Sequence, residues 1–161
     1  MKLKDFDFRV WDNHNKKYID NIPYSIKKYQ NENEVFLPFS TDLRECGFNE
    51  TFKNEIQIPS DRVEVELWTG LYDKNGKKIY EGDIIKYPII NSNNFLYYVV
   101  LINPEINIFE LFRATMDLEK NKLLDISKIE RLSLYLFKNI NKTEEIEIIG
   151  NTHENPELLK N

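Results

Sequence analysis

The residues best placed by type and spacing for acid–base chemistry are two pairs of carboxylates. Glu64 and Glu66 alternate along one stretch, and Glu81 and Asp83 flank a single glycine. Two carboxylates on one face can transfer a proton or hold a hard cation. The alternative is structural: alternating glutamates form a solvated strand face, and an aspartate after glycine hydrogen-bonds its own turn. We favour the structural interpretation of both pairs and predict no catalytic residue.

The chain offers little for metal binding or nucleophilic catalysis. His14 and His153 stand near opposite ends of the sequence, each in a polar stretch without a partner at ligand spacing. Cys46, the single cysteine, would need one of these histidines beside it to act as a nucleophile. No glycine-rich loop of the Walker or dinucleotide type occurs. We therefore predict no metal, no cofactor and no enzymatic activity.

A cluster of aromatic and basic residues is the strongest candidate for an interaction surface. Its members are Trp68, Tyr72, Lys74, Lys77, Lys78, Tyr80, Lys86 and Tyr87. Small β-barrels bind single-stranded nucleic acid through stacked aromatics beside basic groups, and they bind peptides in aromatic-lined grooves. The alternative is that the aromatics belong to the core and the lysines protect hairpin edges from aggregation. We favour this alternative, and a net charge of −5 weighs further against nucleic acid.

Length and composition are those of one globular domain of ordinary size or of two very small ones. The chain has 161 residues, of which 41% are hydrophobic and 30% charged. A single cysteine forms no intrachain disulfide, which fits a reducing cytoplasm. The first residues lack the apolar core of a signal peptide, and no apolar run approaches the roughly 18 residues of a membrane span. We expect a cytoplasmic protein without a membrane partner.

The elements that must position these residues are mostly strands. Apolar alternation predicts a hairpin over residues 6–19 and a half-buried strand at 63–67, which leads into a tight turn at 73–76. Five further strands are predicted after Gly82, near 84–90, 95–102, 106–113, 132–137 and 145–149. The strand at 95–102 is apolar on both faces and must be covered on both sides. A short helix is predicted to begin after Asn155.

Three regions lack a clear period. Residues 20–60 are interpreted as irregular structure wrapped on a sheet, with a short strand at 35–37, an exposed loop at 30–34 and a helical turn at 42–46. Residues 114–128 are polar and loop-like. Residues 129–140 fit either a helix, with a face formed by 129, 132, 136 and 140, or a strand at 132–137, and we favour the strand.

Three motifs occur in order along the chain. They are Phe8-Arg9-Val10-Trp11-Asp12 near the start; Thr69-Gly70-Leu71, Asp73-Lys74-Asn75-Gly76 and Ile79-Tyr80-Glu81-Gly82-Asp83-Ile84 in the middle; and Ile148-Ile149-Gly150-Asn151 with Glu154-Asn155-Pro156-Glu157-Leu158 near the end. Together these motifs resemble the YopX family, small proteins of bacteriophages and prophages of low-GC Gram-positive bacteria. The departures are Trp68, where the family usually has Tyr, and Thr152-His153, where it usually has Ile-Tyr.

The resemblance implies a mainly β protein in two parts. An N-terminal β-rich segment, residues 1–68, would pack on a C-terminal SH3-like β-barrel, residues 69–161. The resemblance also implies self-association and a bacterial host, whose cytoplasm is the expected location, but it does not indicate any particular activity. Our functional hypothesis is a non-enzymatic protein-binding or structural module that forms a homo-oligomer, with a host or phage protein as a further partner. The alternative is a single-stranded nucleic-acid-binding barrel that uses the aromatics and lysines between 68 and 87.

Overall fold

The computed structural model describes residues 6–19, 25–28, 33–42, 51–89, 91–117, 119, 122–140 and 145–154. The described chain is mainly β and divides into two compact units. Unit 1 contains residues 1–9 and 66–161, and unit 2 contains residues 10–65. Strands β1 (Phe8–Asp12) and β6 (Val63–Tyr72) run through the two points at which the chain passes between units. The boundary expected after residue 68 falls inside β6.

Unit 2 contains a short hairpin and a three-stranded antiparallel sheet. Strand β1 pairs with β2 (Lys17–Tyr18), and the buried Trp11 ring meets the Tyr18 ring edge-on at a centroid distance of 5.0 Å. The sheet has the order β3 (Ser25–Lys28), β4 (Asn33–Asp42) and β5 (Thr51–Ile58). Val35 and Ile58 are buried partners across β4 and β5. A 3-10 turn at Ser60–Arg62 leads into β6.

Unit 1 is built on a five-stranded antiparallel sheet that curls into a half-barrel. Its strands are β8 (Asp83–Pro88), β9 (Phe95–Asn103), β10 (Ile108–Asp117), β11 (Lys122–Ser133) and β12 (Glu147–Asn151). The spatial order is β11-β10-β9-β8-β12, so consecutive hairpins form most of the sheet and β12 returns to pair with β8. Strand β7 (Lys78–Tyr80) pairs with β6, and helix α1 (Leu134–Ile140) follows β11 directly.

Apolar side chains cover both faces of the five-stranded sheet. One cluster contains Ile85, Val100 and Leu111 of the sheet with residues of α1, and a second contains Ile84, Val99 and Ala114. Successive residues of a strand point to opposite faces, and Val99 and Val100 are both fully buried. The prediction that the strand at 95–102 is covered on both sides is therefore confirmed.

The prediction of irregular structure for residues 20–60 is wrong, because β3, β4 and β5 form a regular sheet there. Their pairing depends on backbone hydrogen bonds between strands that are rich in polar residues, so the apolar period is weak. The short strand predicted at 35–37 is the centre of β4, and residues 33–34 belong to that strand and not to a loop. The helical turn predicted at 42–46 lies outside the described residues except for Asp42, which ends β4.

Two predictions near the C-terminal half also need correction. Residues 114–117 and 122–128 lie in strands and not in a loop, because β10 continues to Asp117 and β11 begins at Lys122. The strand predicted at 132–137 is wrong, because α1 begins at Leu134. Leu134 and Phe137 are one helical turn apart and both are buried. The buried face of the helix therefore differs from the face at 129, 132, 136 and 140 that the sequence suggested. The helix predicted after Asn155 lies outside the described residues.

None of the helices in the described ranges is long and apolar enough to cross a membrane.

Candidate functional site

A buried ionic cluster ties together distant parts of unit 1. We call it the Arg9 cluster; its members are Arg9, Glu66, Asp83, Asn151 and His153. Arg9 Nε donates to Glu66 Oε2 at 2.5 Å, and Arg9 Nη2 donates to Asp83 Oδ1 at 2.6 Å. Glu66 is 4% exposed and Asp83 is 0% exposed. Because a buried charge is tolerated only with compensating partners, the guanidinium between the two carboxylates is central to the arrangement.

Residues at the end of β12, just after it, and in β7 complete the hydrogen bonding of these carboxylates. Asn151 Nδ2 donates to Asp83 Oδ1 at 3.3 Å, and the Tyr80 amide donates to Asp83 Oδ2 at 2.8 Å. His153 Nε2 lies 3.1 Å from Glu66 Oε1. The bond from Tyr80 confirms the interpretation that Asp83 fixes its own turn.

Gly82 is required by both the backbone conformation and the space at the Arg9 cluster. Its φ of 78° lies in the left-handed region that favours glycine. An added Cβ would lie 2.5 Å from Glu66 Oε1 and 3.0 Å from Thr152 Oγ1. Its carbonyl accepts a hydrogen bond from the Thr152 amide at 2.9 Å. The close approach of these three segments leaves no room for a side chain.

The Arg9 cluster corrects the interpretation of the Glu64 and Glu66 pair. Glu64 is exposed, as expected of a solvated strand face, and accepts a hydrogen bond from Asn13. Glu66 is buried, because Arg9 supplies a counter-charge from another strand. The only sign of this ion pair in the sequence was Arg9 inside the first motif. Alternation along the strand that carries Glu66 does not reveal a partner 57 residues away. One guanidinium pairs with both buried carboxylates and joins their segments, so we interpret the cluster as a structural one.

The histidines and the cysteine are placed as follows. His14 lies in the turn between β1 and β2, where its amide donates to Asp12 Oδ1. His153 belongs to the Arg9 cluster. Cys46 lies outside the described residues. In the described ranges no three His, Cys, Asp or Glu side chains are grouped to hold a metal ion.

Three residues of the candidate interaction surface, Trp68, Lys78 and Tyr80, contact Asp7, and Tyr72 packs against Trp68. Lys78 Nζ and Tyr80 Oη donate to Asp7 Oδ2 at 2.5 and 2.8 Å. Burial raises the pKa of Asp7, but the hydrogen bonds from Lys78 and Tyr80 outweigh it and the pKa is lowered overall. Lys78 Nζ also lies 4.9 Å from the centre of the Trp68 ring, and Trp68 meets the exposed Tyr72 edge-on.

The other four residues of that surface lie apart from this group. Lys74 and Lys86 both form ion pairs with Glu147, and their hydrogen bonds lower the pKa of that carboxylate. Lys77 is exposed in the β6–β7 turn. Tyr87 is only 6% exposed and packs edge-on against Phe137 in the core. The placement of Tyr87 on an interaction surface is therefore wrong, because its face of β8 points into the core.

An apolar groove of about 640 Å³ lies between β6, the start of β10 and α1. Its lining residues are Thr69, Gly70, Leu71, Asn107, Ile108, Phe109, Ser133, Leu134, Tyr135 and Lys138. Tyr135 is 73% exposed and Ile108 is also exposed at its rim. Sequence reasoning missed this groove, because it placed a strand where α1 forms one wall.

Comparison with known proteins identifies relatives of the whole chain. The family model described as YopX protein matches residues 7–160. No curated protein matches. The crystal structure of protein EF1440 from Enterococcus faecalis is 20% identical in sequence, with a TM-score of 0.54, and the match covers 96% of this chain and 98% of that one.

A second solved structure is the X-ray structure of protein yopX from Bacillus subtilis, which is 17% identical with a TM-score of 0.48. That match covers 95% of this chain and 97% of the other. The likeness to the EF1440 protein shows the fold. Because the family model extends over nearly the whole sequence, the chain belongs to the YopX family.

Proposed function

We propose that this chain is a non-enzymatic protein-binding or structural module of a phage or prophage, and that it self-associates in the cytoplasm of its bacterial host. The observation that carries the proposal is the apolar groove with exposed apolar side chains at its rim. Contiguous exposed apolar surface on a folded domain commonly marks a site of association. Membership of the YopX family supports the phage or prophage origin.

The groove favours a second copy of the chain as its occupant. A two-fold interface needs one patch that supplies both a depression and projecting groups. Tyr135 and Leu136 project from α1, and Ile106 projects from the turn whose Asn107 lines the groove. The depression and the projecting apolar groups thus lie side by side on the same chain, which suits an isologous contact.

Static light scattering tests this proposal. The native chain at tens of micromolar should scatter as a dimer or larger species, and Tyr135→Asp should shift the population to monomer by placing a charge in the contact. Phe95→Asp is the matched control, because Phe95 is an exposed aromatic outside the groove. A native chain that stays monomeric throughout this range would refute self-association.

A second candidate function is binding of single-stranded nucleic acid, favoured by one observation. Trp68 and the exposed Tyr72 lie edge to face at 5.4 Å beside Lys78, which is the combination that stacks bases near a phosphate. The test is Trp68 fluorescence during titration with short single strands at low salt, in a Trp11→Phe background. Absence of quenching would remove this candidate.

A further inference from the structure

Arg113 of β10 carries a buried hydrogen-bond donor with no acceptor. Its Nη1 atom is buried, and no group in the described part of the chain accepts a hydrogen bond from it. The guanidinium carbon lies 5.5 Å from the centre of the Tyr98 ring, so the aromatic face holds the side chain in place. A buried donor left unsatisfied destabilises a folded protein, and such a group calls for a physical explanation.

The same arginine lines a cavity of about 390 Å³ on unit 1. The other lining residues are Leu96, Tyr98, Glu130, Arg131 and Leu132. A volume of this size is at the lower end of the range for small-molecule sites, which are largely apolar with a few convergent polar groups. Leu96 and Leu132 supply apolar walls, and Arg113, Arg131 and Glu130 supply the charged ones.

Arg131 is available to act with Arg113. It forms an ion pair with Glu110, but the Nε to Oε2 distance of 3.7 Å is longer than a hydrogen bond. Glu110 in turn accepts a hydrogen bond from Asn103 Nδ2 at 3.1 Å, so that carboxylate has another partner. Glu130 is the one acidic residue among those that line the cavity. The balance of charge on the walls therefore favours an anion.

We infer that this cavity binds a small organic oxyanion, a carboxylate or a phosphate attached to a compact apolar group. Guanidinium groups recognise both oxyanions through paired N–H donors. A rotation of the Arg113 side chain that turns its buried Nη1 towards the cavity would let the ligand act as the missing acceptor. The apolar part of the ligand would lie against Tyr98 and the two leucines. This site is separate from the apolar groove and does not depend on self-association.

Isothermal titration calorimetry with two probes, benzoate and inorganic phosphate, tests the inference. Benzoate should bind saturably with one site per chain, and phosphate should compete if the oxyanion alone is recognised. Arg113→Gln should weaken benzoate binding roughly tenfold or more, since a charge-assisted hydrogen bond is lost. Glu130→Gln should strengthen binding by removing a repulsive charge, and Lys77→Gln should leave it unchanged.

Arg113→Lys provides a second variant if Arg113→Gln does not fold. Lysine keeps the charge but lacks the planar fork, so affinity for benzoate should fall between those of the native chain and Arg113→Gln. Binding of phosphate without benzoate would support the site with phosphate as its oxyanion. Failure of both probes to bind the native chain, or equal binding by the native chain and the Arg113 variants, would overturn the inference.

Discussion

Replacing Arg9 with methionine tests whether the Arg9 cluster holds unit 1 together. Methionine preserves the unbranched apolar stem of the arginine side chain but lacks the guanidinium that contacts both Glu66 and Asp83. Both carboxylates would remain buried without that cation. Breaking a buried ion pair by removing one partner costs about 3–5 kcal/mol. We expect a loss of this size in the free energy of unfolding of unit 1.

Urea denaturation measures the loss. With an m-value of about 2 kcal/mol/M, a destabilisation of 3–5 kcal/mol corresponds to a midpoint lowered by about 1.5–2.5 M. Trp68 lies in unit 1 and Trp11 in unit 2, so the fluorescence of Trp68 in a Trp11→Phe background follows the relevant unit.

Arg131→Met is the matched control. The Arg131 side chain is 42% exposed, and its ion pair with Glu110 is long at 3.7 Å, so its removal should cost about 0–1 kcal/mol. Adding Glu66→Gln to Arg9→Met should restore part of the stability, because one buried charge is removed. An Arg9→Met variant that loses less than about 1 kcal/mol, or no more than Arg131→Met, would refute the reasoning.

Three other predictions concern stability. Gly82→Ala should lower the thermal midpoint much more than Gly76→Ala: both glycines have a φ of 78°, but an added Cβ meets Glu66 only at Gly82. Unfolding free energy should fall as pH drops below about 4, and Asp73→Asn should flatten that dependence in a titration followed by circular dichroism. Burial raises the pKa of Asp73, but backbone hydrogen bonds lower it overall in the folded state. Ionised Asp73 therefore stabilises the fold at pH values above its unfolded pKa of about 3.9, and this stabilisation is lost as the pH falls through its lower folded pKa. Phe137→Ala should cost about 3–5 kcal/mol in urea denaturation, because Phe137 is a fully buried member of the core.

The strands of unit 1 that follow Gly82 could be predicted to within a few residues wherever apolar side chains set the period. Strand β9 is an example. Its apolar residues occupy both faces of the strand, which predicts that both faces are covered, and Val99 and Val100 are both buried. Helix α1 was missed because Tyr135 and Leu136 are apolar yet exposed, which obscures the spacing of the two buried positions. Exposed apolar residues at the rim of a groove therefore hide the helical spacing of the buried ones.

The Arg9 cluster was not predictable from spacing, because its residues come from segments far apart in the chain. A strand that carries Glu64 and Glu66 gives no sign of which one will meet a cation. The turn chemistry of Gly82 and Asp83 was readable, since it depends on local backbone geometry. Asp83 gains a further partner from Asn151, at the end of β12, and this long-range contact is not visible in the local sequence.

The Arg9 cluster also has a consequence for the order of folding during synthesis. Arg9 is synthesised long before Asn151 and His153, which lie far downstream of it in the sequence. Unit 1 is therefore completed only after the segment through His153 has been synthesised, and such long-range closure is slow. A nascent chain that is cut short before Asn151 lacks the contacts that Asn151 and His153 make with Asp83 and Glu66.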